Sequence, residues 1–135
     1  MRIAFGTDER NTLTDGIKRA LADRGHDVVV VGEDEPWPDV GRSVGEAVAG
    51  GGAHRGVVCC WTGTGVSMAA NKVPGVRAAL CTDRATAEGA RRWNDANVLA
   101  LGLRLTSPAV AEEMLDAFLG TDAEADEAPN IAKLG

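Results

Sequence analysis

The sequence predicts an α/β fold, a three-layer α/β/α sandwich with a Rossmann-like five-stranded parallel sheet. Five short apolar runs recur along the 135 residues, and most of the segments between them have helical spacing. The runs are almost continuously apolar, which is typical of parallel strands covered on both faces. Strands that alternate with helices build such a sheet through right-handed crossovers. The predicted strands are residues 3–6, 28–32, 56–60, 76–81 and 97–102.

Three of the segments between strands place their apolar residues on one helical face. These residues are Leu13, Ile17, Ala20 and Leu21 in the first segment, Val44, Ala47 and Val48 in the second, and Val110, Met114, Leu115 and Phe118 in the last. Ser107 and Pro108 predict the N-cap and first residue of the last helix. The segment 24–26 and the glycine run 50–52 predict the ends of the first two helices.

Composition limits the possible functions. The net charge is -6 and the 14 basic residues are scattered, which argues against a nucleic-acid or anionic-membrane partner. The chain opens on a strand rather than a signal peptide, and no apolar run approaches the roughly 18 residues of a membrane helix. Three cysteines, two of them adjacent, fit neither a disulfide framework nor a zinc motif. We expect one cytoplasmic domain over residues 1–135, ending in an acidic tail over 121–135.

The segment after the third strand carries the strongest chemical signal. The strand ends at Cys60, a glycine-rich turn follows, and a helix beginning near Gly65 points its free amides back at the strand end. Such amides can hold an oxyanion or a phosphate. The same field favours a thiolate and lowers a cysteine pKa from about 8.5 toward neutrality. Cys60 is therefore a candidate base, although a buried thiol beside a tight turn is also compatible with a purely structural role.

The other two cysteines are interpreted as core residues. Cys59 points to the opposite face of the strand from Cys60, and Cys81 has the same apolar surroundings. Neither nucleotide-binding motif fits the loop, because a dinucleotide fingerprint needs glycine where Met68 stands and a P-loop needs Gly-Lys-Ser/Thr.

Ligands of doubly wound sheets bind beyond the carboxyl ends of the strands. The polar residues expected at this edge are Asp8, Glu9, Arg10, Thr82, Asp83 and Arg104, together with the loop after Cys60. His26 and His54 lie in turns that enter strands, so we expect both at the opposite edge. Trp93 and Asn94 precede the fifth strand and reach the carboxyl edge only if the helix end folds over or a second subunit presents them.

Two long motifs resemble those of one enzyme family. The runs GTGVSMAANKVPGVRAAL at 63–80 and NDANVL at 94–99 are similar to the ribose-5-phosphate isomerase B and galactose-6-phosphate isomerase family. The resemblance extends from residues 3–8, through 45–51, to the helix that ends at Leu119 and Gly120. It implies a homodimeric aldose–ketose isomerase that moves a proton between C1 and C2 of an open-chain sugar or sugar phosphate through a cis-enediolate. No metal or organic cofactor is implied.

The resemblance also implies roles for individual residues. Cys60 matches the family's cysteine base, and members without this cysteine carry a glutamate at the position of Val66. The loop positions, whose amides hold the enediolate oxygens, are Trp61, Thr62, Gly63, Thr64 and Gly65, with Thr62 as the loop hydroxyl. Asp8 matches a residue that binds sugar hydroxyls, Asn94 a substrate amide, and Arg104 an arginine that helps to hold phosphate.

Several positions depart from the family pattern. Trp93 replaces the ring-opening histidine, and Glu9 replaces a histidine that helps to bind phosphate. The tail arginines align with Glu127 and Ile131, and Trp61 replaces a glycine beside the base. A glutamate near a phosphate dianion is repulsive. The departures fall on ring opening and anion binding rather than on proton transfer.

Three functions remain open at this point. The first is an isomerase for a different substrate that is short, already acyclic or unphosphorylated. The second is a conventional ribose-5-phosphate or hexose-phosphate isomerase that recruits Arg10, Arg42 or Arg92 for phosphate. The third is a non-catalytic sugar-binding subunit.

Overall fold

A computed structural model describes all 135 residues and shows a single five-stranded parallel sheet between two layers of helices. The strands are β1 (Arg2–Thr7), β2 (Asp27–Glu33), β3 (Arg55–Cys60), β4 (Ala78–Leu80) and β5 (Val98–Gly102). The main helices are α1 (Thr12–Asp23), α2 (Trp37–Ala49), α3 (Thr64–Asn71), α4 (Arg84–Asn94) and α5 (Pro108–Gly120). The predicted fold class is confirmed.

The strand order β2-β1-β3-β5-β4 decides where a ligand can bind. The chain leaves β1 for β2 on one side and then crosses back to β3 on the other side. The connections therefore diverge above β1 and β3, and this divergence opens a crevice at the carboxyl ends of these two strands. Helices α1, α4 and α5 cover one face, where Ile17 and Phe118 are fully packed, and α2 and α3 cover the other, where Val40 and Val66 are buried.

Local signals in the sequence explain most helix ends. Ser107 accepts a hydrogen bond from the backbone N–H of Val110 and caps α5 as predicted. Gly25 has a φ of 82° just after α1, and Gly50 is the C-cap of α2. Helix α2 begins at Trp37, directly after Pro36, and has no side-chain cap.

Two expectations about the strands are wrong. Strand β4 has three residues rather than six; just before it, the backbone N–H of Arg77 donates to the Asn97 side chain at 2.7 Å, although the Arg77 carbonyl still accepts from the backbone N–H of Asn97. Strand β2 is not covered on both faces: Val29 and Val30 are exposed, because β2 is an edge strand whose outer residues lie beyond the helical layers.

The acidic tail folds into short helical turns beside α4. These are the 3₁₀ turn Ala125–Glu127, the helix α6 (Ala128–Ile131) and the 3₁₀ turn Ala132–Leu134. The backbone N–H of Glu124 donates to the carbonyl of Arg92 at 2.8 Å, and the buried guanidinium of Arg91 donates to the carbonyl of Thr121 at 3.0 Å. No helix is long and apolar enough to cross a membrane.

Candidate active site

Cys60 is the last residue of β3 and its side chain faces the start of α3. The Sγ atom accepts a hydrogen bond from the backbone N–H of Gly63 at 3.2 Å. Cys59 points to the opposite face, where burial raises the pKa of its thiol. Burial likewise raises the pKa of Cys81 to about 11, helped by Asp83. The predicted core roles of Cys59 and Cys81 are confirmed, and of the three thiols only Cys60 meets a loop amide.

Gly63 is required for this geometry. Its φ of 77° lies in the left-handed region, and a Cβ atom here would lie 2.6 Å from Leu80 Cδ1 and 2.8 Å from the backbone nitrogen of Gly102. A larger residue would push the loop off the end of β5. Only glycine therefore keeps the amide at this position beneath the sulfur.

Asp8 follows β1 and lies beside the Cys60 loop. Its backbone N–H donates to the carbonyl of Cys59 at 3.2 Å, which joins the ends of the two strands. Its Oδ1 atom is buried and has no hydrogen-bond partner. Burial raises the pKa of this carboxyl, and the charge of Glu9 adds to the effect. A buried oxygen without a partner is available to a sugar hydroxyl.

These residues enclose a cavity of about 300 Å³. Its lining is Asp8, Trp37, Cys60, Trp61, Thr62, Thr64, Gly65 and Met68. The hydroxyl oxygens of Thr62 and Thr64 are 2.7 Å apart. Six of the predicted site residues are thus brought together at the crevice where β1 and β3 end.

Sequence reasoning missed two lining residues. Met68 stands four positions after Thr64, so helical spacing places both on one face. This spacing could have predicted that Met68 lies beside Thr64 in the site. Trp37 comes from the start of α2, far away in the sequence, and no local pattern connects it to the Cys60 loop.

Glu9 and Arg104 lie at the rim of the same edge rather than in the cavity wall. The backbone N–H of Arg104 donates to the carbonyl of Trp61 at 3.0 Å, and its side chain is exposed and takes part in no ion pair. Glu9 is also exposed, and its carbonyl accepts a 2.6 Å hydrogen bond from the Thr7 hydroxyl. The one cation predicted to hold phosphate is therefore free of carboxylates.

Trp93 and Asn94 lie at the other end of the sheet, at the end of α4. They line a separate cavity of about 200 Å³, whose other lining residues are Glu127, Asn130, Ile131 and Leu134 of the tail. One chain does not bring Trp93 and Asn94 to Cys60. Their role in the same site stays a prediction that depends on a second copy. The positions aligned with the family's tail arginines, Glu127 and Ile131, do lie beside Trp93.

The three arginines considered as alternative phosphate ligands are each held by carboxylates. Arg10 pairs with Asp15 at 2.9 Å, and Arg42 pairs with Asp39 at 2.5 Å. Arg92 pairs with Glu88 at 2.6 Å and with Glu124 at 3.4 Å. Recruiting any of them for phosphate would require breaking such a pair.

Both histidines lie at the amino edge of the sheet, as predicted. His26 Nδ1 is 3.2 Å from the amino terminus, and His54 Nδ1 accepts the backbone N–H of Arg2 at 3.0 Å. Neither lines the Cys60 cavity or the Trp93 cavity.

Comparison with known proteins defines the family. The profile of the family described as Ribose/Galactose Isomerase matches residues 3–134. The chain belongs to the ribose/galactose isomerase family. This confirms the family predicted from the motifs at 63–80 and 94–99 and, with it, the prediction of an isomerase.

Several members of the ribose/galactose isomerase family are similar over nearly the whole chain. D-erythrulose-4-phosphate isomerase of Pectobacterium atrosepticum is 37% identical over 144 residues, covering 100% of this chain and 93% of the relative. Ribose-5-phosphate isomerase B of Escherichia coli is 39% identical over 128 residues, covering 91% of this chain and 86% of the relative. The structure of ribose-5-phosphate isomerase B from Clostridium thermocellum superposes with a TM-score of 0.95 at 39% identity, covering 100% of this chain and 95% of that one.

Proposed function

We propose that the chain is an aldose–ketose isomerase for a short, open-chain sugar phosphate, working through a cis-enediolate with Cys60 as the general base. The observation that carries the proposal is the hydrogen bond from the Gly63 N–H to the Cys60 sulfur, in a cavity that also contains the unpaired oxygen of Asp8. A base, an amide cradle and a hydroxyl acceptor are the three parts that the reaction requires.

The reaction moves one proton between neighbouring carbons. The Cys60 thiolate takes the C2 proton of the aldose and the electron pair of that bond forms the enediolate. The amides at the start of α3 stabilise the negative charge on the enediolate oxygens. In this proposal the hydroxyls of Thr62 and Thr64, which lie 2.7 Å apart, pass the O2 proton of the substrate to O1. Cys60 then returns the proton to C1, which gives the ketose. This chemistry requires no metal or organic cofactor.

A four-carbon sugar 4-phosphate as substrate would explain why Trp93 replaces the family's ring-opening histidine. Its C4 oxygen is esterified, so it cannot attack C1 to close a five-membered ring, and the substrate stays open-chain. An enzyme for such a substrate has no need of a ring-opening histidine, and neither His26 nor His54 lies near either cavity. The Pectobacterium relative, named for a four-carbon ketose phosphate, supports this substrate class.

The complete site is proposed to form across a cytoplasmic homodimer. Trp93, Asn94 and the tail would come from a second copy and close the cavity above Cys60. Arg104 at the rim would hold the phosphate, while Glu9 weakens the attraction.

Exchange of the C2 proton in heavy water tests the proposal directly. The panel is four-, five- and six-carbon aldoses, each with and without a terminal phosphate, followed by NMR. Fastest exchange with the four-carbon phosphate is the expected result. A clear preference for the five-carbon phosphate would instead favour a conventional ribose-5-phosphate isomerase. If none of the sugars exchanges its C2 proton, the chain is better explained as a non-catalytic sugar-binding subunit.

A further inference from the structure

Trp37 forms part of the wall that separates the Cys60 cavity from a second, larger cavity. The second cavity has a volume of about 500 Å³ and lies between α2 and α3. Trp37 and Met68 are the only residues that line both cavities. The two side chains therefore form a partition between the space around Cys60 and the neighbouring space.

The Trp37 ring is held in place by the first turn of α3. A Cβ atom on Gly65 would lie 2.8 Å from Trp37 Cε3 and 2.9 Å from its Cδ2. The ring therefore lies directly against the backbone at Gly65, next to the amides that face Cys60. Trp37 is also the first residue of α2, so its backbone is fixed by a helix as well. The contact with Gly65 and the helical backbone together place the indole ring between the two cavities.

The space beyond the partition has a mixed lining that could hold the additional carbons and hydroxyls of a longer substrate. The second cavity is lined by apolar residues together with Arg42, Glu46 and Lys72. Arg42 is paired with Asp39, whereas Lys72 takes part in no ion pair. Glu46 likewise forms no ion pair, so a phosphate carried past the partition would meet one ammonium and one opposing carboxylate.

We infer that Trp37 is a specificity-determining residue that limits the length of the sugar admitted beside Cys60, and this inference rests on the isomerase function proposed above. With the indole in place, the space available to the sugar ends at the partition. Removing the indole joins the two cavities and lets additional carbons extend toward α2. Met68, which is more exposed and flexible, contributes less to the barrier.

The test compares the isomerisation of four- and five-carbon aldose phosphates in the wild type and three variants. Trp37→Ala removes the partition, Trp37→Phe keeps an aromatic wall, and Val30→Ala is a control at a residue with the same 45% exposure on the edge strand. We expect Trp37→Ala to raise the five- to four-carbon ratio of kcat/KM by about 10-fold or more, the scale of discrimination that one carbon unit supports. Trp37→Phe and Val30→Ala should leave the ratio near the wild-type value.

Each outcome can be assigned. An active wild type whose ratio does not change in a folded Trp37→Ala overturns the inference and leaves the isomerase intact. If the wild type does not exchange the C2 proton of any sugar, that result contradicts the proposed function and therefore also this inference. Thermal melting checks that each variant folds. If Trp37→Ala does not fold, Trp37→Leu replaces it, because leucine retains more of the packing on Gly65. An unchanged ratio in Trp37→Leu also overturns the inference.

Discussion

The backbone N–H of Gly63 donates to the Sγ atom of Cys60 across 3.2 Å, which joins the end of one strand to the start of the next helix. Gly63 is the N-cap of α3 and has a left-handed backbone, and its amide points back toward the end of the strand. The sulfur therefore lies at the positive end of the helix dipole. The Cys60 sulfur thus meets a loop amide in the cavity that the Asp8 carboxyl also lines.

Replacing Cys60 with alanine should abolish most of the turnover. Loss of a general base costs about 10²- to 10⁴-fold in rate. Cys59→Ala is the matched control, because Cys59 is adjacent in sequence and equally buried but points to the other face. The measurement is C2-proton exchange in heavy water. Equal rates for Cys60→Ala and the wild type would remove the thiol from the mechanism.

Mixing two inactive variants should restore activity if the site spans two copies. We expect Cys60→Ala and Asn94→Ala to be inactive alone. After subunit exchange, mixed dimers have one intact site, so activity should return to about a quarter of the wild-type value. Cys60→Ala mixed with Thr62→Ala is the control: both changes lie in the same half of the site, and no recovery is expected. Recovery in neither mixture, or a fully active monomer in sedimentation, would contradict the shared site.

Replacing Asp8 with asparagine should stabilise the fold while weakening substrate binding. Burial raises the pKa of Asp8, so the folded chain favours the protonated form. That favourable contribution is complete below the ordinary carboxyl pKa and is lost as pH rises through the raised value. We therefore expect the melting temperature of Asp8→Asn to exceed that of the wild type by roughly 2–6 °C at pH 7. The difference should shrink toward pH 4, and an equal gap at both pH values would exclude titration of Asp8 as its cause.

Replacing Glu9 with histidine should improve the binding of a phosphorylated sugar over its unphosphorylated form. Glu9 is exposed at the rim, and in the proposed site its negative charge would oppose part of the attraction of Arg104 for the phosphate. The gain in kcat/KM for the ester should be about two- to five-fold, the range for an exposed charge, and should decline at high salt. Arg104→Ala should act in the opposite direction on the ester alone. If the wild type already prefers the ester strongly and Glu9→His changes nothing, Glu9 does not oppose the phosphate.

Turnover should be insensitive to both histidines. His26 and His54 lie at the amino edge of the sheet, outside both candidate cavities. His26→Ala and His54→Ala should retain the wild-type kcat on the four-carbon phosphate, with melting curves run in parallel. A large loss in either variant with the fold intact would place a histidine in the reaction.

The sequence was sufficient for the fold class, the number of strands and the Cys60 loop because these are encoded locally, but it did not predict the length of β4 or the exposure of β2. Short apolar runs separated by helical spacing specify parallel strands, and the connection from β3 to α3 specifies which residues lie beneath the helix amides. Gly63 shows the same local logic, since its backbone conformation is one that glycine adopts at little cost. The two motifs at 63–80 and 94–99 then led to the correct family.

Only the tertiary structure decided which distant side chains meet. Trp37 reaches the Cys60 cavity because α2 crosses over β1 and packs on α3, and no periodic pattern encodes a contact between residues so far apart. Arg10 and Arg92 each also meet a carboxylate from a distant part of the chain, Glu33 and Glu124 respectively, whereas Arg104 forms no ion pair. Trp93 and Asn94 are adjacent to β5 in sequence but lie at its amino end, since helices run antiparallel to the strands that they connect. The sequence by itself thus determined the elements and the candidate base, whereas the packing of the elements decided the shape and the charge of the space around that base.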